Sequence, residues 1–269
     1  MYKKGPAEKV FTKANAKKLK GGHIVIPDGF TKIADGAFSG REDVVTVTPP
    51  GTLREIGDSA FENCANLAGF EFSRALGLVT VFPWPQPIAT AGIVYTPPPE
   101  EPAPGDYRFG LKCIGSRAFA ACAKLAGEVV IPGGVQKMMI GEGAFSGCAG
   151  VTGVTLQKDG IQEIEISEGA FSGCVGLSRF DVETKSKTRM DDKQLNGART
   201  GIVIPGLADI MLGRLRINRR AFNGCVNLTD INIPEALTDV DIKAFIGCPA
   251  LLEETRQMIT RINPDCVFA

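Results

Sequence analysis

The chain has 269 residues, of which 44% are apolar, with 30 basic and 30 acidic side chains that cancel, 17 prolines and 32 glycines. That size and apolar share bury a substantial core, while zero net charge removes the whole-protein field that draws proteins onto nucleic acid or anionic lipid. No run approaches the ~18 uninterrupted apolar residues of a membrane helix, and no apolar stretch follows Met-Tyr-Lys-Lys-Gly-Pro, so neither a span nor a secretory signal is expected. With Met1 as the native start, this predicts a cytoplasmic protein. Residues 1–21 form a Lys-rich N-terminal arm or cap, with a helix predicted over 6–20 that carries Val10, Phe11 and Ala14 on one side. Seven lysines stand against Glu8 in the first 20 residues. They read as a solvated cap helix, with an electrostatic arm for an acidic partner as the alternative. His23-Ile24-Val25-Ile26-Pro27 reads as the first strand.

From here the chain repeats. Ala37-Phe38, Ala60-Phe61, Ala118-Phe119, Ala144-Phe145, Ala170-Phe171, Ala221-Phe222 and Ala244-Phe245 recur, with successive phenylalanines 23, 58, 26, 26, 51 and 23 residues apart. The two long intervals read as doubled ones. An aliphatic residue stands four before each Ala (Ile33, Ile56, Ile114, Ile140, Ile166, Ile217, Val240). Cysteine stands three after the Phe in six units, as Cys64, Cys122, Cys148, Cys174, Cys225 and Cys248. A Leu or Val follows three later, then period-2 alternation as in Leu177-Ser-Arg-Phe180-Asp-Val182, the signature of a short strand with one buried face. Such a unit cannot bury its apolar residues alone, so it stacks on its neighbours into a parallel sheet with rungs ~4.8 Å apart and interior columns of Ile, Ala-Phe, Cys and Leu. Glycines two after the Phe suit a left-handed turn ending a short helical piece, as does Asn63, whereas Ala121 marks a distorted turn.

Taken together, Ile-x-x-x-Ala-Phe-x-Gly-Cys-x-x-Leu-x-x-Ile-x-Ile-Pro resembles the BspA-like class of leucine-rich repeats, over roughly residues 22–252. The resemblance implies a strand-rich α/β leucine-rich-repeat solenoid with a concave parallel sheet, short helical or 3-10 turns on the convex side, helical caps, and a binding role. The first full unit departs from the pattern: Arg41 replaces the cysteine, which predicts an edge unit with that position exposed.

Two insertions interrupt the solenoid assigned to residues 22–252. Residues 73–112 hold eight prolines with Phe82, Trp84, Tyr95 and Tyr107, and Ile93-Val94-Tyr95 as a degenerate strand. Trp84 is a candidate anchor for a partner, weighed against packing back over the rungs. Pro99-Glu-Glu-Pro102 spells a P-x-x-P, a common match in proline-rich loops. Residues 183–201 read as a mobile polar loop, after which Ile202-Val203-Ile204-Pro205 restores a strand belonging to a unit that has lost its Ala-Phe. Asp191 and Asp192 have no third metal ligand at a recognised spacing. At the end, residues 249–264 read as a helix opened by Pro249, with Glu253 and Glu254 at its positive end and Asn263-Pro264 stopping it, so that 253–269 make a C-terminal helical cap and tail.

The chemistry-bearing residues are few. The six column cysteines read as reduced, buried packing residues, with Cys113 and Cys266 as free thiols outside the column. A cysteine nucleophile needs a base, and the one histidine, His23, sits in the first strand. No G-x-S-x-G, P-loop, dinucleotide fingerprint or C-x-x-C stands in a suitable context. The expectation is a non-catalytic protein without cofactor or metal, a Cys- or Ser-dependent hydrolase on the insertions being the minor alternative. Its function is to bind a protein or peptide as a monomeric scaffold, without nucleic acid or a membrane span. A structural spacer or cell-surface adhesin module is the competing reading, and the resemblance keeps a secreted or surface setting open. Alternation nominates Thr46, Glu71, Val130, Thr155, Arg179, Asp181, Val203, Asp230 and Asn232 as outward positions on the binding sheet, with Trp84 beside them. Their mixed charge and lack of an aromatic stripe argue against nucleic acid.

Overall fold

A computed structural model describes residues 8–72, 110–133, 137–157, 163–183, 214–233 and 238–268. In chain order its elements are β1 (Val10–Phe11), α1 (Lys13–Lys18), β2 (His23–Val25), β3 (Lys32–Ile33), β4 (Thr46–Thr48), β5 (Glu55–Ile56), β6 (Gly69–Phe70), β7 (Cys113–Ile114), β8 (Ala126–Ile131), β9 (Lys137–Ile140), β10 (Gly150–Gln157), β11 (Glu163–Ile166), β12 (Arg179–Glu183), β13 (Arg214–Ile217), β14 (Asp230–Asn232), β15 (Thr238–Val240) and α2 (Glu253–Ile262). All strand pairs are parallel. The odd-numbered strands form one eight-stranded sheet in chain order, and the even-numbered ones form a three-stranded sheet β2-β4-β6 and a four-stranded sheet β14-β12-β10-β8. Each coil thus contributes two strands, one before the Ala-Phe turn and one after the cysteine, where the sequence pattern predicts only the second.

The core is the space between these sheets and the turns. Phe11, Phe38, Phe61, Phe119, Phe145, Phe171, Phe222 and Phe245 stack in one column, with neighbouring ring centroids 4.9–5.8 Å apart and planes within 12°. Every one is buried, as are the column aliphatics and the six cysteines. Burying each phenyl ring stabilises the fold by roughly 1.5–3 kcal/mol, so the column is a main source of cohesion. The Ala-Phe backbone locks the coils together as well: the Phe145 amide donates to Ala170 O at 2.7 Å, and the same bond recurs from Phe38 to Ala60 and from Phe222 to Ala244.

Several sequence expectations change. Phe61 stacks directly on Phe119 and Phe171 on Phe222, while β5 pairs with β7, β11 with β13 and β12 with β14. No coil fits between these partners, so the long intervals are single coils carrying insertions, not doubled units. The Ala-Phe turns are successive hydrogen-bonded β-turns broken by left-handed residues, rather than helical pieces. Ala121 is not distorted: its φ of 58° matches the left-handed glycines at the equivalent place, and its amide donates to Ser146 O at 2.8 Å. The ladder of the stack outweighs a left-handed cost of ~1–2 kcal/mol for a residue bearing a Cβ. At Gly141 the coils crowd one another for a different reason, because a Cβ there would lie 2.6 Å from the Ser116 backbone nitrogen.

At the N-terminus, Val10 and Phe11 form a rung beside β3 instead of a helix face, and the helix shortens to Lys13–Lys18 behind a Thr12/Asn15 capping box. This helix occupies the place that an Ala-Phe turn takes in the other coils. Arg41 is accordingly not exposed: its guanidinium donates to Ala16 O at 2.8 Å and Leu19 O at 2.9 Å and pairs with Asp43. At the C-terminus the helix begins at Glu253, four residues after Pro249, and buries Thr255 and Ile259.

Candidate interaction face

On the four-stranded sheet the register brings the nominated residues into two rows. Val130, Thr155, Asp181 and Asn232 align across β8, β10, β12 and β14, and Glu128, Gly153, Arg179 and Asp230 align one step earlier. Alternation with buried Val154, Leu156, Phe180, Val182, Ile231 and Ile233 fixes both rows on the outer side. A bulge at Thr152, where the register shifts between Val151 and Gly153, keeps β10 in phase with β8 from Gly153 onward.

The side chains form a network. Arg179 Nε lies 2.6 Å from Asp181 Oδ2, and its Nη2 donates to Glu128 Oε1 at 3.3 Å. The Thr155 hydroxyl donates to the same Glu128 oxygen at 2.7 Å, and the Thr255 hydroxyl of α2 donates to Asp230 Oδ1 at 3.1 Å. Arg179, Asp230 and Asn232 are exposed, and Val130 and Asp181 are half-buried. Thr155 departs from its expected solvated place: it is only 3% exposed, because it sits in an inner strand under Glu128. Thr46 and Glu71 lie apart, in and just after the three-stranded sheet, where His23 Nδ1 is 2.6 Å from Thr46 Oγ1. A cleft of about 440 Å³ opens where β6 and β8 part, bordered by His23, Thr46, Glu71 and Glu128. Trp84, Val203, Asp191 and Asp192 lie outside the described residues.

Sequence reasoning missed Glu128, the hub of the network, although it stands two residues before Val130 in the same alternation. It also missed the outer row of the eight-stranded sheet. There Lys32, Glu55, Cys113, Met139, Glu165, Arg216 and Asp239 align. Lys32 and Lys112 lie 3.3 and 2.5 Å from Glu55, Lys137 lies 3.4 Å from Glu163, and Arg214 pairs with Asp239. This face is internally compensated.

The thiols are arranged for packing. Each column cysteine donates its Sγ–H to the Phe carbonyl of the coil before it, from Cys64 to Phe38 through Cys248 to Phe222, at 3.0–3.2 Å. All eight cysteines are free. Burial pushes the Cys64 thiol up to about 11 and the Cys174 thiol up to about 12, and raises Cys122 and Cys148 as well. Cys225 is raised by its hydrogen bond with Cys248 and by burial; that bond holds Cys248 down, but Cys248 too is fully buried. Thiolate chemistry needs an accessible, stabilised anion, and this ladder provides neither. Among the described residues, no group of three or more His, Cys, Asp or Glu is placed to hold a metal ion, and no helix is long and apolar enough to cross a membrane.

Comparison with known proteins agrees with this geometry. The model of the BspA type leucine rich repeat region matches in six copies, over residues 8–80, 110–199 and 209–268. Among solved structures, the T. pallidum leucine rich repeat protein TpLRR is similar in fold, with a TM-score of 0.59 at 23% identity, covering 93% of this chain and 87% of that one. A leucine rich cell surface protein from Faecalibacterium prausnitzii A2-165 is 23% identical, with a TM-score of 0.40, over 95% of this chain and 66% of the other. A leucine-rich repeat protein from Bacteroides ovatus is 15% identical, with a TM-score of 0.26, over 86% of this chain and 73% of that one. No curated protein matches the chain. The repeated Ala-Phe turn, the cysteine ladder and a family match spanning most of the sequence place this chain in the BspA-type leucine-rich repeat family.

Proposed function

We propose that the chain is a non-catalytic scaffold that binds a protein or peptide ligand through the outer face of the four-stranded sheet. The observation that carries this reading is the pair of in-register rows over β8, β10, β12 and β14, which presents Arg179, Asp181, Asp230 and Asn232 at a fixed rung spacing of ~4.8 Å. Their order is set before a ligand arrives, because Glu128, Thr155 and Thr255 already hold their partners in place. Binding therefore immobilises few side chains, which lowers the entropic cost of association. Family membership supports a binding role in general terms, and the burial of the cysteine ladder weighs against a thiol hydrolase.

The test is selective loss of ligand. Asp181→Lys with Asn232→Lys reverses or adds charge at two outer positions without touching the core. Crosslinking pull-down with mass spectrometry from the source cell should lose specific partners with this variant and keep them with the parent chain. Unchanged capture would fit a spacer or adhesin module instead. Capture that depends on Trp84 alone would move the binding site to the insertion.

A further inference from the structure

The two ends of the stack are finished differently. At the C-terminal end the places of a next rung are taken: the Leu252 amide donates to Thr229 O, Asn263 Nδ2 to Val240 O, the Val267 amide to Ile242 O, and the Gly247 amide to Phe268 O. At the N-terminal end the first coil runs β1, α1, β2, and among the described residues β2 pairs with β4 alone. The Thr46 amide donates to Gly22 O and the Ile26 amide donates to Thr48 O, both at 2.9 Å. Residues 22, 24 and 26 therefore face β4. By the alternation of a parallel ladder, His23 and Val25 turn their N–H and C=O groups to the edge that no other described strand occupies. Both side chains are exposed, Val25 at 50%. No proline stands within His23–Val25, and Pro27 just beyond limits the outward donors to these two residues.

The same coil holds uncompensated charge. Lys9, Lys13, Lys17, Lys18 and Lys20 are exposed, against Glu8 and Asp28. Lys9 lies over the Phe30 ring, and none of the other four makes an ion pair among the described residues. This contrasts with the eight-stranded sheet, where cations and carboxylates alternate in contact.

We propose that this edge is a second docking site, which takes an acidic peptide in extended form as an added strand beside β2. Ladder bonds to His23 and Val25 supply the alignment, and the lysines of the first coil meet its carboxylates. A strand edge favours a peptide over nucleic acid, because a phosphate backbone has no alternating N–H and C=O to pair with it. The site lies on the three-stranded sheet, separate from the outer face of the four-stranded sheet.

The experiment uses the full chain and a short fluorescein-labelled peptide of alternating glutamate and valine, read by fluorescence anisotropy. The comparison probes are the same peptide N-methylated at alternate backbone nitrogens and a single-stranded oligothymidylate. Binding at submillimolar concentration is expected, weakened at least ~10-fold by N-methylation and by Val25→Pro, which removes the outward N–H at a place where an edge strand tolerates proline. Lys17→Glu with Lys18→Glu should weaken it too, as should raising salt from ~50 to ~300 mM. Slowed amide exchange at His23 and Val25 should accompany binding, and Asp181→Lys with Asn232→Lys should leave it unchanged. No binding, equal binding of the methylated peptide, or tighter binding of oligothymidylate would overturn the proposal. Should Val25→Pro fail to fold, the methylated probe decides alone.

Discussion

In the six Ala-Phe turns from Phe38 to Phe222 the Phe carbonyl accepts two hydrogen bonds: the Phe119 oxygen takes the Cys122 amide at 3.2 Å from its own turn and the Cys148 thiol at 3.0 Å from the next coil. That double demand explains why a small residue with a donor recurs at the cysteine position. The exception proves informative, since no Ala-Phe turn precedes that of Phe38 and Arg41 instead closes the C-terminal carbonyls of α1. Restoring the repeat pattern with Arg41→Cys should therefore destabilise the protein, by about 1–3 kcal/mol in urea denaturation, because a thiol cannot reach Ala16 O and Leu19 O together. An unchanged or raised midpoint would show that the pattern, not the cap, governs this site. Phe145→Ala should cost about 3–5 kcal/mol, since its ring has a stacked neighbour on both sides, and a loss under ~1 kcal/mol would contradict that packing. The phenylalanine column was legible in the sequence, because spacing alone reveals a repeated inward position. The thiol bond was not, because its acceptor belongs to a different coil.

Among the elements, the strands after the cysteine showed in the sequence and those before the Ala-Phe turn did not. Pairs such as Lys32-Ile33 and Glu55-Ile56 hold only two residues, too few to display period-2 alternation, and acquire their strand character from the stack. Their outer side chains carry the ion ladder of the eight-stranded sheet. Burial alone would raise the Glu55 carboxyl, but bonds and charge from Lys112 and Lys32 together hold it below its ordinary value of 4.5; Arg117 lowers Glu62 likewise. A carboxyl depressed in the fold contributes stability above its unfolded value that is lost as pH falls through the folded one. Stability measured by urea should thus be level near neutrality and decline as pH drops below ~4.5, with a shallower decline at high salt. A steady rise in stability through that range would refute the ladder. The candidate site was legible in the same uneven way: alternation found the whole row from Val130 to Asn232, but the burial of Thr155 depends on Glu128 one strand away, which no single segment reveals.

For the molecule as a whole, the long intervals were misread because self-similarity counts residues, whereas the stack counts rungs. Leaving a coil through a connection of many residues and returning to the next one preserves the contacts on either side, so β11 meets β13 as closely as it meets β9. Where the chain passes from the four-stranded to the eight-stranded sheet without an insertion, five residues suffice, as between β8 and β9, β10 and β11, and β14 and β15. Loop length itself has a small effect, ~0.6 kcal/mol for each doubling. The most direct measurement of this architecture is the thermal unfolding of a chain in which residues 184–213 are replaced by a five-residue polar link. One cooperative transition, with a Tm equal to the parent's or a few degrees higher, is expected. Loss of cooperativity, or a Tm lowered by more than ~10 °C, would mean that the replaced stretch contributes a coil of its own and that the rungs on either side do not stack directly.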